Sequence, residues 1–235
     1  MKKSRAILFF FVYSTALFAS TALERFEGKV TLKASGSPYL VTSSLVLSSQ
    51  DTLIIEPGVE LLVQGYRKLL LRGVVKIKGT LKKPVRMASA DSNESWVGLH
   101  ISTGNNPVEI QGLQVENAFR NIVSASKGKI SQSQFVGNYY GLWVEKSPEM
   151  FLKECEFREN RFGVSVADGV LSLSKSQIHD NVFGAWLDRD ASVVGQGNLI
   201  QSNQTADISA PSDSTRQGNA ARFPKGTLQT VESQF

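Results

Sequence analysis

The sequence has very few of the residues that build disulfide-bonded or histidine-ligated metal proteins. Cys155 is the only cysteine, so no disulfide can form within the chain. The only two histidines, His100 and His179, fall in different repeat units of the pattern described below, which does not favour a histidine-based metal site or a catalytic triad. The repeat places Cys155 inside the fold, where a lone thiol is protected from oxidation.

The sequence also lacks an apolar run long enough to span a bilayer. The longest apolar stretch, from Ala6 to Ala19, is short for a full span. It follows Lys2, Lys3 and Arg5 and precedes the small residues 20–22, which is the layout of a secretory signal peptide. We predict that residues 1–22 are a signal peptide, that no membrane span remains after cleavage, and that the mature protein is periplasmic or secreted. A retained membrane anchor is the alternative.

Excess charge is another feature of which the mature sequence has little. Without Lys2, Lys3 and Arg5, the 26 basic residues fall to 23 against 21 acidic ones, so the net charge drops from +5 to +2. A balance this close to neutral does not favour nucleic acid as a partner.

A unit of about 21–22 residues repeats in the second half of the sequence. Each unit begins with an apolar residue, has a mostly small residue three positions on, and has another apolar residue two positions further. The units start at Ile110, Ile130, Leu152, Leu173 and Val194. Self-similarity at such a period is typical of solenoids, in which each unit buries its apolar face against its neighbours.

Two further positions recur in these units. An asparagine stands between the two apolar segments at Asn138, Asn160, Asn181 and Asn203. We expect the four amides to form a stacked ladder at a bend, with an aromatic residue two positions after each of the first three, at Tyr140, Phe162 and Phe183. The second apolar segment opens with Gly141, Gly163 or Gly184, or with Asn121 in the first repeat, and this choice predicts a left-handed turn there.

The pattern predicts an all-β protein, a single-stranded parallel β-helix with rungs of about 21–22 residues. A leucine-rich repeat would need more leucine and a helical stripe in every unit. Earlier strands are expected at residues 52–55, 59–63, 68–71 and 74–77. The open ends of a β-helix must be covered. We therefore assign residues 23–36 to an N-terminal cap, residues 37–209 to the β-helix, and residues 210–235 to a C-terminal cap or tail.

The repeats resemble those of the pectate-lyase-like superfamily of secreted bacterial proteins. The pattern Asn-x-x-Gly before an apolar strand carries the resemblance, together with residues 37–41, 53–59, 79–85 and 96–99. The resemblance covers residues 37–209 and implies that the β-helix is right-handed. It also implies that any site lies on the outer face of one strand stack, in a groove walled by loops.

In the strand formed by the second apolar segment of each unit, the positions expected to point outward are His100, Val123, Trp143, Ser165 and Trp186. Trp143 and Trp186 stand two rungs apart, about 10 Å at the usual strand spacing. Two exposed indoles at this spacing could stack on successive sugars of a glycan. We therefore predict that Trp143, Trp186 and His100 are binding residues. The alternative is that a loop or tail of the chain covers both rings.

Two carboxylates, Glu145 and Asp188, are also expected to align two rungs apart. Such a pair suggests glycoside hydrolysis, although two rungs lie at the outer limit of the separation of about 6.5–9.5 Å in inverting enzymes. Asp168 adds a third candidate, in the next column, which it forms with Lys146 and Arg189. Ordinary cross-strand pairing explains the same charges. No oxygen-rich loop surrounds Asp168, Asp188 and Asp190, so we expect no cofactor and retain calcium only as a weak alternative.

Two functions follow from these residues. The first is a non-catalytic exported protein that presents a rigid face to a polysaccharide or to a protein of the cell envelope. The second is a polysaccharide lyase or glycoside hydrolase that uses Glu145, Asp168 and Asp188. The short segments between rungs favour the first, because an enzyme groove needs longer loops to wall it.

Overall fold

The computed structural model describes residues 20–145, 149–188, 191–209 and 228–229, with only the backbone of Glu149, Leu228 and Gln229. These residues form β-strands and one 3-10 turn, Ala34–Gly36. The strands are β1 (Thr21–Ala22), β2 (Lys29–Leu32), β3 (Tyr39–Val41), β4 (Leu45–Leu47), β5 (Thr52–Ile55), β6 (Glu60–Val63), β7 (Lys68–Leu71), β8 (Val74–Lys78), β9 (Val85–Ser89), β10 (Gly98–Gly104), β11 (Val108–Gln111), β12 (Leu113–Glu116), β13 (Arg120–Ala125), β14 (Lys127–Ser131), β15 (Gln134–Val136), β16 (Tyr140–Val144), β17 (Glu149–Lys153), β18 (Glu156–Arg158), β19 (Phe162–Val166), β20 (Gly169–Ser174), β21 (Gln177–His179), β22 (Phe183–Leu187), β23 (Ala191–Val194), β24 (Asn198–Gln201), β25 (Ala206–Ser209) and β26 (Leu228–Gln229).

The strands wind into a parallel β-solenoid with three sheets. Sheet A contains β1, β3, β6, β9, β12, β15, β18, β21, β24 and β26. Sheet B contains β2, β5, β8, β11, β14, β17, β20 and β23, and sheet C contains β4, β7, β10, β13, β16, β19, β22 and β25. Each rung supplies one strand to each sheet in turn. The predicted parallel β-helix fold is therefore confirmed.

Alternation along each short strand places one set of side chains inside the solenoid, where like residues stack on like residues. In sheet B one inner column runs through Leu32, Ile55, Ile77, Ile110, Ile130, Leu152 and Leu173, all of them buried. In sheet A, Phe135 and Phe157 stack face to face with ring centroids 5.1 Å apart. Each rung therefore buries its apolar face only because a neighbouring rung covers it.

The predicted early strands agree closely with the structure. The bounds of β5 and β7 are those expected, while β6 begins one residue later and β8 ends one residue later than predicted. The first rung also reaches into the predicted cap, because β2 pairs with β5 and the side chains of Leu23 and Phe26 are buried in the core. The predicted signal peptide falls mainly on residues 1–19, and the predicted tail mainly on residues 210–227 and 230–235, which lie outside the described residues.

The recurring asparagines form a continuous hydrogen-bonded series along the bend between sheets A and C. The Nδ2 groups of Asn138, Asn160 and Asn181 each donate to the Oδ1 atom of the next asparagine at 2.9–3.0 Å. Each Oδ1 also accepts the backbone N–H of the residue at the equivalent position one rung earlier, which for Asn138 is Ala118. The amides therefore satisfy buried backbone groups at these bends. Such groups need hydrogen-bond partners wherever the chain turns away from solvent.

Asp207 ends this series. Its Oδ1 atom accepts both the backbone N–H of Asn203, at 3.1 Å, and the Asn203 Nδ2 group, at 2.8 Å. A carboxylate suits the last position because it only accepts hydrogen bonds and needs no further acceptor beyond itself. Asp207 comes four residues after Asn203 rather than one period later, so the repeat spacing does not reveal it.

The glycines near the starts of β16, β19 and β22 serve a different purpose from the one predicted. Gly141, Gly163 and Gly184 do not have a positive φ. A Cβ atom on each of them would lie 2.4–2.6 Å from a carbonyl oxygen of the next rung, so glycine is required for close stacking. A left-handed residue stands instead directly before each ladder position and before the equivalent Ala118, at Asn117, Gly137, Glu159, Asp180 and Ser202.

Small polar side chains line the bend between sheets B and A. The side chains of Ser133, Ser176 and Asn198 accept backbone N–H groups from the preceding rung. Cys155 is buried in the same column, as predicted, and burial raises the pKa of its thiol to about 11. Among the described residues, no helix has the length and hydropathy of a membrane span.

Replacing Asn160 with alanine should lower the free energy of unfolding by about 3 kcal/mol, because buried groups on both neighbouring rungs lose their partners. The change removes bonds to Asn138, Phe135 and Asn181. Urea unfolding would measure the loss. The matched control is Gln177→Ala, which removes an exposed amide from sheet A and should cost less than about 0.5 kcal/mol. Equal losses for the two variants would contradict the role of the ladder.

Cys155 should resist alkylation in the folded protein, because burial hides the sulfur and the raised pKa leaves little thiolate at pH 8. Iodoacetamide at pH 8 should label it only after denaturant is added, as followed by mass spectrometry. Labelling of the native protein at the rate of a free thiol would show that the bend between sheets B and A opens and exposes Cys155 to solvent.

Candidate functional site

The candidate site lies on the outer face of sheet C, where one column of side chains runs along the solenoid. The strand register aligns, rung by rung, His100, Ile122, Trp143, Ser165 and Trp186. Trp143 and Trp186 are therefore two rungs apart, about 10 Å at the usual strand spacing. Both side chains are half-buried, whereas the sequence predicted exposed indoles.

The expected outward position of Val123 was wrong. Val123 points inward and is buried, and Ile122 takes the outward place. The reason is a register shift in β13: Arg120 pairs with Tyr140 while Ile122 pairs with Trp143, so β13 is one residue shorter than β16 over this stretch. Asn121 fills the irregularity, because its amide accepts the N–H of Leu99 and donates to the carbonyl oxygen of Gly141. An alignment that assumed equal unit lengths could not detect this.

Beside this column runs a stack of aromatic rings on the same face. Tyr140, Phe162 and Phe183 lie on successive strands with centroids 4.8 and 5.1 Å apart and planes within 11° of parallel. Trp186 meets Phe162 and Phe183 at 83°, and Trp143 meets Tyr140 at 61°. The planes of the stacked rings are roughly perpendicular to the solenoid axis. The indole plane of Trp186, at 83° to them, is therefore roughly parallel to that axis. The stack fixes the orientation of both indoles.

Ser165 is the one small residue between the two tryptophans, and it leaves a cleft on this face. The cleft has a volume of about 160 Å³. Its lining consists of Tyr140, Trp143, Phe162, Ser165, Ala167, Trp186 and Asp188. The sequence thus places two large indoles and one small hydroxyl in a single column, and the β-helix turns this alternation into a cavity.

Unpartnered polar atoms concentrate on this face. Within the described ranges, five buried side-chain nitrogen or oxygen atoms have no hydrogen-bond partner, and four of them belong to His100, Arg120, Trp143 and Ser165. Such groups carry a desolvation cost that a bound ligand can repay by supplying a partner. Trp186 differs, since its Nε1 group donates to Asp188 Oδ1 at 3.3 Å.

His100 lies at one end of the column, in a positively charged environment. Burial lowers the pKa of His100, and the charges of Arg120 and Lys68 lower it further. The guanidinium carbon of Arg120 also lies 5.4 Å from the centre of the Trp143 ring. Arg120 therefore connects His100 to the tryptophan cleft.

The three candidate carboxylates do not converge. Glu145 and Asp188 hold equivalent positions two rungs apart, because their N–H groups donate to Val123 and Val166. Of these two, only Asp188 lines the cleft. Asp168 comes one position later in its rung, is exposed, and is not part of the lining.

The described part of the chain contains no group of three His, Cys, Asp or Glu side chains that could hold a metal ion. Lys146, Arg189 and Asp190 lie outside the described residues. His179 is in sheet A, where its ring nitrogens contact Asp180 and Glu156 at 2.7 and 3.1 Å. It is therefore remote in the fold from His100, which is in sheet C.

The sequence pattern predicted Trp143 and Trp186 as binding residues, but it gave no role in the site to Ser165, Arg120 or Lys68. The small residue between two tryptophans was a usable signal for the cleft. Arg120 and Lys68 had no such signal, because the register shift in β13 and the irregular first rungs hid their alignment.

Comparisons with known proteins agree with the fold. Residues 92–221, just over half of the chain, match a family model described as a right-handed β-helix region. The chain is also similar to Protein bark beetle from Drosophila melanogaster, with 23% identity over 82% of this chain. The chain spans only 8% of the length of that protein. No solved structure gives a significant match.

Proposed function

The chain belongs to the right-handed β-helix family, and we propose that it is an exported, non-catalytic protein that binds a glycan on the outer face of sheet C. The observation that carries the proposal is the cleft between Trp143 and Trp186, with Ser165 at its floor. The predicted signal peptide at residues 1–22 supports export to the periplasm or the cell exterior.

The dimensions of the cleft suit part of a chain rather than a whole small molecule. At about 160 Å³, it is smaller than the pockets of about 300–1,000 Å³ that enclose drug-sized ligands. An extended glycan can instead lie along the solenoid axis, with one sugar against each indole and a substituent in the cleft. Aromatic rings supply the apolar area for this contact at a small entropic cost, because their side chains have few rotamers.

The polar atoms of the cleft support the same ligand class. Trp143 Nε1 and Ser165 Oγ are buried and have no partner among the described residues. A glycan carries hydroxyl and carbonyl oxygens beside its apolar ring faces, so it can meet the indoles and these donors together. A purely apolar partner would leave both groups unsatisfied.

Single Trp143→Ala and Trp186→Ala variants should each weaken retention on a binding polysaccharide by roughly tenfold, which corresponds to about 1.4 kcal/mol. The double variant should abolish retention, because both contact surfaces are lost. The measurement is retention of the purified protein on a broad panel of polysaccharides, with circular dichroism as the check of folding.

Phe151→Ala is the matched control, since Phe151 is an exposed aromatic residue on sheet B. It should leave retention unchanged. Ser165→Val adds bulk at the floor while both indoles remain, and it should reduce retention as well. Retention of the double tryptophan variant at the level of the unchanged protein would refute the proposed surface.

Asp188 favours a second candidate, a polysaccharide hydrolase or lyase. It is the carboxylate that lines the cleft, and Trp186 holds one of its oxygens by a hydrogen bond. Glu145 could serve as its partner from two rungs away, at the outer limit of the separation in inverting glycosidases.

If this candidate holds, the unchanged protein should release product from at least one polysaccharide of the panel. Asp188→Asn should then abolish product while retention persists, because the amide cannot transfer the proton. Reducing-end and unsaturated-product assays would measure both reaction types. Retention on a polysaccharide without any product would rule out the enzymatic candidate. If neither retention nor product were observed, a protein of the cell envelope would become the favoured partner.

A further inference from the structure

Three basic residues occupy neighbouring positions on the outer face of sheet C, beside the tryptophan cleft. Gly98 pairs with Lys68 in β7, and its backbone packs directly against that of Arg120 in β13. Lys68 and Arg120 therefore lie two rungs apart, about 10 Å along the axis, with a residue that has no side chain between them. His100 follows two positions after Gly98 on the same outer face.

No carboxylate neutralises this basic group within the described part of the chain. Two arginines of sheet A are paired by contrast: Arg86 contacts Glu60 and Glu116, and Arg158 contacts Glu156 and Glu159. Neither Lys68 nor Arg120 has an ion pair there, and both charges act on His100. Arg120 Nε and His100 Nε2 are buried without a hydrogen-bond partner. An unpaired, desolvated guanidinium is costly unless an anion binds it, and the same anion would favour the protonated form of His100, which can donate.

We propose that Lys68, His100 and Arg120 form a subsite for a tetrahedral oxyanion, a sulfate or phosphate monoester, adjacent to the tryptophan cleft. The assignment of this anion and of the sugar in the cleft to one ligand rests on the proposed function. The subsite itself stands on the neighbouring positions of the three residues and on the two unpartnered nitrogen atoms.

The arrangement of the three positions favours one shape of anion. By register, Lys68 and Arg120 lie one rung on either side of β10, and His100 stands in the neighbouring column of β10. A sulfate or phosphate monoester has three terminal oxygens that point in different directions, so it can accept from all three side chains. A carboxylate holds both oxygens in one plane, which suits a single bidentate arginine better.

Arg120 couples this subsite to the cleft. Its guanidinium lies over the ring of Trp143, so an anion that binds Arg120 changes the surroundings of that indole. The Trp143 indole N–H is thus a reporter that lies on the border of the two regions.

Titration of the full protein with sodium sulfate, sodium phosphate or sodium acetate, at ionic strength held constant with chloride, tests the subsite. The readouts are the indole N–H signals of the three tryptophans and the pKa of His100 by nuclear magnetic resonance. Sulfate or phosphate should shift the Trp143 signal to saturation and raise the pKa of His100, because an anion favours the protonated ring. The stronger of the two ions identifies the preferred ester.

Arg120→Gln and Lys68→Gln should each weaken binding at least tenfold, while Lys129→Gln on sheet B should leave it unchanged. No saturable shift, or an equal effect of acetate, would overturn the subsite. The Trp143→Ala/Trp186→Ala variant separates the two proposals. If it loses the polysaccharide but still shows the sulfate-dependent shift of His100, the subsite holds independently. If it keeps the polysaccharide, the proposed function fails while the anion result is unaffected.

Discussion

The whole structure depends on the stacking of one rung on the next in a fixed register. Parallel strands about 4.8 Å apart place equivalent side chains directly above one another, and the ladder from Asn138 to Asn203 ties this register to buried backbone groups. Each amide both donates and accepts, so the series continues until Asp207, an acceptor alone, ends it. Slippage by one residue would break these bonds and expose the apolar columns.

The same register makes the outer faces differ from one another. On sheet A, stacking brings opposite charges together, as in the contacts of Arg86 with Glu60 and Glu116. On sheet C it brings together indoles, stacked phenyl rings and cations that have no acidic partner among the described residues. A surface that satisfies its own groups contributes to stability, whereas one with unpartnered donors is suited to a ligand. This contrast is why the proposed glycan and oxyanion subsites both lie on sheet C.

The sequence predicted the fold, the inward position of Cys155 and, to within one residue, the bounds of the four early strands β5 to β8, because repetition records the register directly. It failed where the repeat is irregular. Val123 was expected outside, but the shorter β13 turns it inward and places Ile122 outside. The glycines at the strand starts were assigned to left-handed turns, although close contact with the next rung explains Gly141, Gly163 and Gly184. Both errors concern geometry between rungs, which a single unit does not contain.

The sequence by itself determined the period, the inner columns and the alignment of Trp143 with Trp186, because these follow from spacing along the chain. Only the tertiary structure decided that Ser165 opens a cleft, that Asp188 lines it while Asp168 does not, and that Arg120 lies over Trp143 beside His100. The physical reason is that these relations join side chains from different rungs. Their distances depend on the register shift in β13 and on ring orientations set by packing, neither of which is encoded in the spacing alone.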